Sequence, residues 1–400
     1  MTKKIYLDYA ATTPVDREVL RTMLPYFSVK FGNPMSLHQF GQEALEAVEK
    51  SRQNVADFFN AEASEIVFTS GATEANNLVV KGIVRAFLAK NETKPHIITT
   101  AFEHHCVLNA CKSLEKDGLA EITFLKPGAD GLIKADDVKK TIKPNTILVS
   151  IMYVNNEIGT VQPIAEIGKI IKKINPKILF HTDATQAVNY FNCDVKKLGA
   201  DLLSMSAHKI YGPKGIGVLV IKKGTPIKQI LDGGEQEEGF RSGTHNVPGI
   251  VGLGKAIEQV ASAKNKIINK NITTLRDYLI KKVLKEIKDA KLNGSKIKRS
   301  PNNANFSFKN IEGESLVLML DKEGMACSTG SACSTGSLAP SHVLMSIGLK
   351  PEEAHGSLRM TLGKYTTKQE IDFAVEKLKK VVSELRKTSG NVLQEFYDKK

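Results

Sequence analysis

Short apolar runs alternate with segments of helical periodicity through the first two-thirds of the chain. The runs at residues 65–69, 96–100, 146–151 and 178–181 predict buried strands, and the apolar spacing within residues 43–59 predicts a helix. This alternation is typical of an α/β fold in which helices cover both faces of a mostly parallel sheet. Ligands bind such sheets beyond the carboxyl ends of the strands, so we expect functional residues directly after these runs.

The character of the sequence changes near residue 257. A lysine-rich amphipathic stretch, two apolar segments and a last helical pattern follow, at residues 257–287, 305–308, 357–362 and from Thr367 onward. A chain of 400 residues usually divides into two domains. We therefore predict a large α/β domain of residues 16–260 and a smaller α+β domain of residues 1–15 and 261–400. We expect residues 390–400 to be frayed.

Composition excludes several classes of protein. Hydrophobic residues make up 42% and charged residues 25%, which is ordinary for a globular protein and excludes disordered and fibrous classes. The net charge of +13 comes mostly from scattered lysines, so we expect no direct nucleic-acid contact, while an acidic protein partner remains open. Residues 1–8 lack a signal-peptide pattern, and no apolar stretch approaches the ~18 residues of a membrane span. We therefore expect a soluble, cytoplasmic protein with no membrane partner.

Cysteine usage argues against a disulfide framework and against a resident metal. The chain has five cysteines, an odd number, and no secretory signal precedes them. No Cys-x-x-Cys pair or Cys/His cluster has the spacing of a zinc site. The five are Cys106, Cys111, Cys193, Cys327 and Cys333.

A lysine and an aspartate each end an apolar run. Lys209 follows the run at residues 201–205 and precedes a Gly/Pro turn, and Asp183 follows the run at residues 178–182. Partial desolvation lowers the pKa of a lysine amine and frees the lone pair that forms an imine. An imine-forming lysine with a carboxylate for a pyridinium nitrogen is the pair expected of a pyridoxal phosphate site. Either residue alone also fits a surface lysine or a helix-capping aspartate, but the two together favour the cofactor.

The segment Ser70-Gly71-Ala72-Thr73-Glu74 follows a predicted strand and opens a helical pattern. Small residues and a hydroxyl at a helix N-terminus form an anion site, and a plain helix cap is the equally simple alternative. With pyridoxal phosphate bound, the phosphate is the natural occupant. Ser206 and His208 flank the lysine and could donate to the same phosphate.

Four further polar side chains follow predicted strands or begin one. His104 could lie over the cofactor ring, and Asn156 and Gln186 could contact the ring oxygen O3′. Arg359 could clamp a substrate carboxylate through two parallel hydrogen bonds. The simpler alternatives are a structural histidine, a turn-forming asparagine and a surface arginine.

A tandem hexapeptide, Ala-Cys-Ser-Thr-Gly-Ser, occupies residues 326–331 and again 332–337. Its small side chains bury little surface, so we expect a mobile loop at about residues 324–340. A mobile loop that carries thiols, in a chain with a cofactor lysine, suggests a nucleophile brought to the cofactor. A flexible hinge with incidental cysteines is the alternative.

Seven segments, spread in order along nearly the whole chain, are similar to those of the cysteine desulfurases. The long small-residue loop resembles that of the NifS/IscS-like group within the class-V, fold-type I pyridoxal phosphate family. The segments are residues 6–14, 68–74, 155–159, 181–186, 206–217, 241–244 and 330–333.

The resemblance implies a fold-type I homodimer with active sites near the subunit interface. Lys209 would bind the cofactor covalently, and Asp183 would pair with its pyridinium nitrogen. The remaining roles that the resemblance implies are ring stacking for His104, O3′ contacts for Asn156 and Gln186, phosphate contacts for Ala72, Thr73, Ser206 and His208, contact with the neighbouring subunit's phosphate for Thr244, and substrate binding for Arg359 and Asn33.

The activity that the resemblance implies is conversion of L-cysteine to L-alanine, with the sulfur left as a persulfide on Cys333. Pro340 follows Cys333 at the spacing of the family, which assigns the nucleophile to this thiol. The sulfur would pass to an iron–sulfur scaffold protein or another acceptor, for cluster assembly or transfer-RNA thiolation. An iron–sulfur cluster would contact Cys333 only transiently.

Two departures from the family stand out. Met35 occupies a position where the family usually has serine, and Cys327 is an extra thiol in the duplicated loop. Cys327 could accept the persulfide or be a passive duplicate, and we favour the passive interpretation. Three other functions remain open: a selenocysteine lyase, another fold-type I aminotransferase, and a non-catalytic sulfur-relay partner.

Overall fold

The structure is a computed structural model that describes residues 4–329 and 340–389. Cys333 and the predicted frayed segment 390–400 therefore lie outside the described residues. In chain order the strands are β1 (Ile5–Tyr6), β2 (Ile66–Thr69), β3 (His96–Thr100), β4 (Glu121–Leu125), β5 (Thr146–Ser150), β6 (Leu179–Asp183), β7 (Leu202–Ser206), β8 (Gly217–Ile221), β9 (Ala290–Leu292), β10 (Asn303–Phe308), β11 (Met325–Ala326) and β12 (Ser357–Thr361).

The helices lie between these strands. The α-helices are α1 (Arg17–Met23), α2 (Pro25–Ser28), α3 (Gln39–Phe59), α4 (Ala72–Leu88), α5 (His105–Lys116), α6 (Ala135–Thr141), α7 (Ile164–Ile174), α8 (Val195–Leu198), α9 (Val247–Ala261), α10 (Ala263–Glu286), α11 (Gly313–Lys322), α12 (His342–Ser346), α13 (Pro351–His355) and α14 (Lys368–Ser389). Short 3-10 helices cover Ala63–Glu65, Ala207–Lys209 and Gln236–Gly239. None of the helices within the described ranges is long and apolar enough to span a membrane.

A seven-stranded sheet carries the site, with the order β2-β8-β7-β6-β5-β3-β4. The strands from β7 to β4 pair in parallel, and β8 is antiparallel to both of its neighbours. Every residue of β3, β7 and β8 is buried, which accounts for their continuous apolar runs. The predicted mostly parallel α/β sheet is confirmed, although β4 and β8 were not among the predicted strands.

Helix α3 illustrates how local sequence sets the elements that cover the sheet. His38 caps its N-terminus by accepting the N–H of Gly41, and Asn60 ends it in the left-handed conformation. Its buried residues include Val48, Val55 and Phe59, which recur at helical spacing and lie against the first hydrophobic core. The predicted helix at residues 43–59 is therefore present and begins four residues earlier.

The amphipathic stretch at residues 257–287 contains the end of α9 and the whole of α10. Ser262 adopts extended backbone angles between α9 and α10, and its hydroxyl accepts the N–H of Asn265. A serine in this position satisfies a free N–H at the helix start and so separates the two helices. The amphipathic pattern by itself did not predict this helix boundary.

Two small sheets complete the structure. Strands β12, β10 and β9 form an antiparallel sheet in that order, and β1 pairs in parallel with β11. Ile5 and Leu7 share a hydrophobic core with residues 272–385, so the start of the chain packs against its last third. Val343 and Leu344 pack instead in the first core, beneath the large sheet. The division at residues 16 and 260 stays a prediction.

Candidate active site

A cavity of about 540 Å³ opens beyond the carboxyl ends of β3, β5, β6 and β7. This is the position at which a mostly parallel sheet binds ligands, because the ends of neighbouring strands meet there. Ten of the predicted site residues line this one cavity: Ala72, Thr73, His104, Asn156, Asp183, Gln186, Ser206, His208, Lys209 and Arg359.

Lys209 ends the 3-10 helix that follows β7. Its Nζ donates to the carbonyl oxygens of Ala10 and Ala11, each at 2.6 Å. Thr13 fixes this arrangement from the other side, because its backbone N–H donates to the oxygen of His208 at 2.9 Å. The first turn of the chain therefore positions the half-buried amine at the cavity wall.

Asp183 is the last residue of β6 and only 5% of it is exposed. Its Oδ2 accepts the side-chain N–H of Asn76 at 2.8 Å, and its Oδ1 accepts the backbone N–H of Thr185 at 2.9 Å. Each oxygen thus has an N–H donor, and the carboxyl group is held in one orientation toward the cavity. A carboxylate held in this way can meet a protonated ring nitrogen.

The N-terminus of α4 forms the anion end of the cavity. Gly71 precedes the helix with a φ of 153°, and a Cβ added at Gly217 would lie 2.7 Å from the Gly71 Cα. Glycine at both positions lets β8 lie against this turn. The first N–H groups of a helix have no acceptor within the helix, so those of α4 can bind an anion, and Lys214 adds positive charge at the cavity wall.

His208 lies at the same end and is neutral near pH 7. Burial, aided by the positive charges of Lys209 and Lys214, lowers the pKa of His208 to about 4. Its Nδ1 lies 3.1 Å from the hydroxyl of Thr12. A neutral imidazole with one hydroxyl partner can still donate one hydrogen bond to a phosphate.

His104 is the N-cap of α5. Its Nδ1 accepts the backbone N–H of Cys106 at 3.3 Å, which orients the ring at the cavity wall. Burial lowers the pKa of His104, and Lys209 acts in the same direction while Asp183 opposes it. The neutral form of the ring is therefore favoured.

Arg359 in β12 is 3% exposed and reaches the cavity from the smaller sheet. Its Nη2 donates to Asp8 Oδ1 at 2.9 Å, and its Nη1 donates to the carbonyl oxygen of Asn156 at 3.1 Å. Its buried Nε has no acceptor among the residues that the structure describes. The guanidinium is thus held in place with N–H capacity left for a carboxylate.

Asp8 joins this arginine to the segment that precedes residue 330. The Ser328 hydroxyl donates to Asp8 Oδ2 at 2.8 Å, and the backbone of Ser328 pairs with that of Arg359. Asp8 was not among the predicted site residues, although it belongs to the quoted motif at residues 6–14. Its role depends on a contact across 351 positions of sequence, which no local pattern reveals.

Two predicted residues do not line the cavity. Asn33 is exposed, and its side-chain oxygen accepts the backbone N–H of Met35 at 3.0 Å. Thr244 is exposed as well. Their predicted roles, which for Thr244 require a second subunit, stay predictions, and so does that of Cys333, outside the described residues.

Cys327 is described, and it is a poor nucleophile. It is 8% exposed and packs in the second hydrophobic core with residues such as Leu316 and Leu358. Burial raises the pKa of the Cys327 thiol to about 12, and because the thiolate is the reactive form, little of it is present at neutral pH. This environment favours the passive interpretation of the extra thiol.

Besides Asp8, the unpredicted polar residues at or near the cavity include Asn76, Cys106 and Glu157. Asn76 is a fully buried amide on the apolar face of α4, a polar residue at a core position that could have been noticed. Glu157 is buried, which raises its pKa to about 7, and it accepts the hydroxyl of Ser341. Cys106 lines the cavity two residues after His104.

The residues present fit pyridoxal phosphate. One cavity holds a lysine amine, a carboxyl group with a fixed orientation, a neutral imidazole and an anion-binding helix N-terminus. These are the groups that the aldehyde, the ring nitrogen, the ring face and the phosphate of this cofactor require. Arg359 adds a site for the carboxylate of an amino acid.

Comparisons with known proteins agree with this chemistry. The sequence profile of the family described as aminotransferase class-V matches residues 5–373. The chain is 50% identical over 389 residues to the cysteine desulfurase IscS of Dictyoglomus turgidum, covering 97% of each sequence. A solved NifS-like protein superposes with a TM-score of 0.88 at 36% identity, over 95% of this chain and 99% of the other.

A second solved structure, SspA in complex with cysteine, superposes with a TM-score of 0.79 at 40% identity. The match covers 91% of this chain and 100% of that one. The similarities extend over nearly the whole length of each protein.

Proposed function

The chain belongs to the class-V aminotransferase family and is a pyridoxal-phosphate-dependent cysteine desulfurase, and we propose that it transfers the sulfur of L-cysteine bound in its cavity to Cys333. The observation that carries this proposal is that Lys209, Asp183, His104 and Arg359 line one cavity. The first three provide for the cofactor, and the fourth provides for an amino-acid carboxylate.

Each residue would do one task. Pyridoxal phosphate, when bound, acts as the electron sink that makes the substrate Cα acidic. Lys209 would hold the cofactor and then carry the Cα proton at Nζ. Asp183 would keep a proton on the ring nitrogen, and the N-terminus of α4 with Ser206 and His208 would hold the phosphate.

Substrate orientation would come from the other side of the cavity. Arg359 would bind the carboxylate through N–H groups that Asp8 and Asn156 leave available. Gln186, whose Nε2 donates to the Ala10 oxygen at 2.9 Å, would contact the O3′ edge of the ring together with Asn156. A substrate fixed at its carboxylate and Cα presents its sulfur in one direction.

The thiolate of Cys333 would attack the sulfur of the substrate. An S–S bond forms as the Cβ–S bond breaks, and a C–H bond replaces it, so that L-cysteine and a thiol give L-alanine and a persulfide. All atoms and electrons balance without an external oxidant. The motif at residues 330–333 and the position of Pro340 support this choice of nucleophile.

The test is a Cys333→Ala variant of the holoenzyme in a single turnover with L-cysteine. We expect it to keep the cofactor absorbance and to form no alanine. A matched Cys327→Ala variant should form alanine as the wild type does. Undiminished alanine from Cys333→Ala would contradict the assignment.

The acceptor of the sulfur and the oligomeric state are further parts of the proposal. Relatives named IscS support delivery of sulfur to an iron–sulfur scaffold protein or to another acceptor. A homodimer is supported by large apolar side chains that are exposed within residues 20–40: Leu20, Leu24, Phe27, Val29, Phe31, Met35, Leu37 and Phe40. The cytoplasmic location stays a prediction.

Analytical ultracentrifugation tests the dimer. Two charged substitutions on the exposed apolar segment, Phe27→Asp with Leu37→Asp, should convert a dimer to a monomer, since charge at the centre of an interface is costly to bury. A matched pair of substitutions at exposed residues elsewhere, Ile297→Asp with Leu318→Asp, should leave the dimer intact. A wild-type chain that sediments as a monomer would contradict this part of the proposal.

A further inference from the structure

Cys106 is a buried thiol in the cavity wall to which the proposed chemistry gives no task. Its Sγ lies 3.0 Å from His104 Nδ1 and 3.1 Å from Asn76 Nδ2. Asn76 also donates to Asp183 Oδ2 at 2.8 Å. The thiol therefore contacts the imidazole of His104 directly and is connected to the carboxyl group of Asp183 through the side-chain amide of Asn76. Both His104 and Asp183 are predicted to contact the cofactor.

Hydrogen bonds connect Asp183 to Asn76, Asn76 to Cys106 and Cys106 to His104, and the direction of each one follows from Asp183. Both of its oxygens accept N–H groups, so the side chain of Asn76 must turn its NH₂ group toward Asp183. The Asn76 oxygen then faces Ser204, which donates its hydroxyl proton to it. His181 supports this direction, because its Nε2 lies 2.9 Å from the Ser204 hydroxyl and can donate to it.

The orientation of the Asn76 amide also determines the direction of the hydrogen bond between Cys106 and His104. The sulfur of Cys106 accepts the second N–H of the Asn76 amide, so its own proton is available for His104 Nδ1. The backbone N–H of Cys106 points at the same nitrogen from 3.3 Å. Two donors directed at one ring nitrogen require that this nitrogen carry a lone pair and no proton.

We propose that Cys106 is a positioning residue whose S–H group donates to His104 Nδ1 and keeps the ring proton on Nε2. The consequence for catalysis rests on the proposed function. With its proton on Nε2, the neutral ring can donate a hydrogen bond or a proton on that side and cannot accept one there. His104 then acts first as a donor, and the abstraction of the Cα proton is left to Lys209.

Other titratable groups around His104 do not replace this contact. Asp183 on β6, Lys209 after β7, His105 on the same helix and His342 on α12 all act on it through charge. At Nδ1 itself, the Sγ and the backbone N–H of Cys106 both lie within hydrogen-bonding distance, at 3.0 and 3.3 Å. The thiol is therefore a side-chain donor that acts together with the backbone N–H of Cys106 to keep the lone pair on Nδ1.

The tautomer can be read directly in the holoenzyme. Labelling histidine with ¹⁵N and recording long-range ¹H–¹⁵N correlations distinguishes a protonated Nε2 from a protonated Nδ1. The His104 signal is assigned as the one lost in His104→Gln. We expect the Nε2–H form in the wild type across neutral pH, independent of any measurement of turnover.

Substitutions of Cys106 distinguish the effect of its S–H donor from the effect of the volume that its side chain fills. Cys106→Ala removes the S–H donor, so the pKa of His104 should rise by roughly half to one pH unit. Cys106→Ser restores a donor and should return that pKa toward the wild-type value. Cys111→Ala, a matched change of a buried thiol on the same helix away from the cavity, should leave it unchanged. If Cys106→Ala does not fold, Cys106→Val supplies a non-donor that fills the space.

Three results would overturn the proposal. The first is a wild-type His104 with its proton on Nδ1. The second is an unchanged His104 pKa after the thiol is replaced by a non-donor, and the third is a Cys106→Ser variant that behaves like Cys106→Ala. Failure of the desulfurase assignment would instead appear as absent alanine formation by the wild type, with the tautomer unaffected.

Discussion

The cofactor side of the cavity, formed by Lys209, Asp183 and His104, comes from segments that directly follow strands of one sheet. The substrate side, formed by Arg359 and Asp8, joins chain segments 351 positions apart. On the cofactor side, amide and backbone N–H groups donate to Asp183 at the end of β6, and the Lys209 amine donates to backbone carbonyl oxygens. On the substrate side, one carboxylate joins the arginine to Ser328, at the edge of the segment that carries the proposed nucleophile.

This difference indicates that the cofactor side and the substrate side of the cavity have separate functions. A sheet fixes the positions of neighbouring strand ends, so the backbone positions on the cofactor side are set by the sheet itself, and Ala10 and Ala11 then hold the Lys209 amine in place. The substrate side depends on the pairing of β1, β11 and β12 being correct, and Asp8 links all of it to Arg359. Changes on the cofactor side should therefore abolish chemistry, whereas changes on the substrate side should mainly alter binding.

The largest effect is expected from Lys209→Ala. Loss of a positioned proton carrier should lower kcat for alanine formation by roughly 10²- to 10⁴-fold. The fold should persist, since Lys209 lies in the wall of the cavity rather than in a hydrophobic core. Steady-state alanine assays with circular dichroism check both statements, and Lys222→Ala, an exposed lysine, serves as the matched control. Wild-type kcat in Lys209→Ala would contradict the account of the cofactor side.

Asp8→Asn tests the substrate side. The buried Arg359 would lose its charged partner, and because a hydrogen bond to a charged group contributes about 1.5–3 kcal/mol, KM for L-cysteine should rise roughly 10- to 100-fold. The value of kcat should change less. Asp372→Asn, which removes the carboxylate partner of Lys282 outside the cavity wall, should leave KM unchanged. A fall in KM would show instead that Asp8 competes with the substrate for the guanidinium.

Glu103 makes the stability of the cofactor side depend on pH. It is fully buried, and burial raises its pKa to about 8, above the ordinary value of 4.5. The folded state thus binds more protons than the unfolded state between these values, so stability should fall as pH rises from about 4.5 to about 8. Glu103→Gln should raise the Tm relative to wild type more at pH 9 than at pH 6.

The control for this measurement is Glu121→Gln, at an exposed carboxylate whose pKa is lowered by its hydrogen bond to Lys143. Its Tm difference from wild type should not grow between pH 6 and pH 9. Equal Tm differences at both pH values for Glu103→Gln would show that this carboxyl group does not titrate as its burial implies.

The smallest effect is expected from Cys327→Ser. The thiol is buried beside the substrate side and is not the nucleophile in our account, so alanine formation and persulfide transfer should stay within twofold of wild type. Burying a hydroxyl in place of a sulfur should cost about 1–3 kcal/mol of stability, measured by urea unfolding. If persulfide transfer by Cys327→Ser falls by more than the loss of folded protein accounts for, Cys327 acts as a sulfur acceptor.

The cofactor side could be predicted from sequence because it follows a rule of strand ends. Lys209, Asp183 and His104 each come soon after an apolar run, and parallel strands end at the same edge of the sheet. Asn76 and Cys106 could not be found in this way, since their contacts join α4, α5 and β6 across as many as 107 positions. The hydrogen-bond directions that determine the tautomer of His104 can be seen only in the packed arrangement of those elements.

The substrate side was predicted only in part. Arg359 was identified from its chemistry, whereas Asp8 required the antiparallel and parallel pairing near the chain ends to be known. The break between α9 and α10 was missed although Ser262 is a typical helix N-cap, because the lysine-rich amphipathic pattern continues through it. Local signals of this kind are weak when the apolar period does not change.

The most direct test of the central claim is borohydride reduction of the holoenzyme followed by peptide mapping. Reduction fixes the bond between the cofactor and the lysine that holds it, so that the modified peptide survives digestion. The account predicts that the peptide containing Lys209 carries the reduced cofactor and that no other lysine does. An unmodified Lys209 in reduced holoenzyme, or modification of a different lysine, would contradict it.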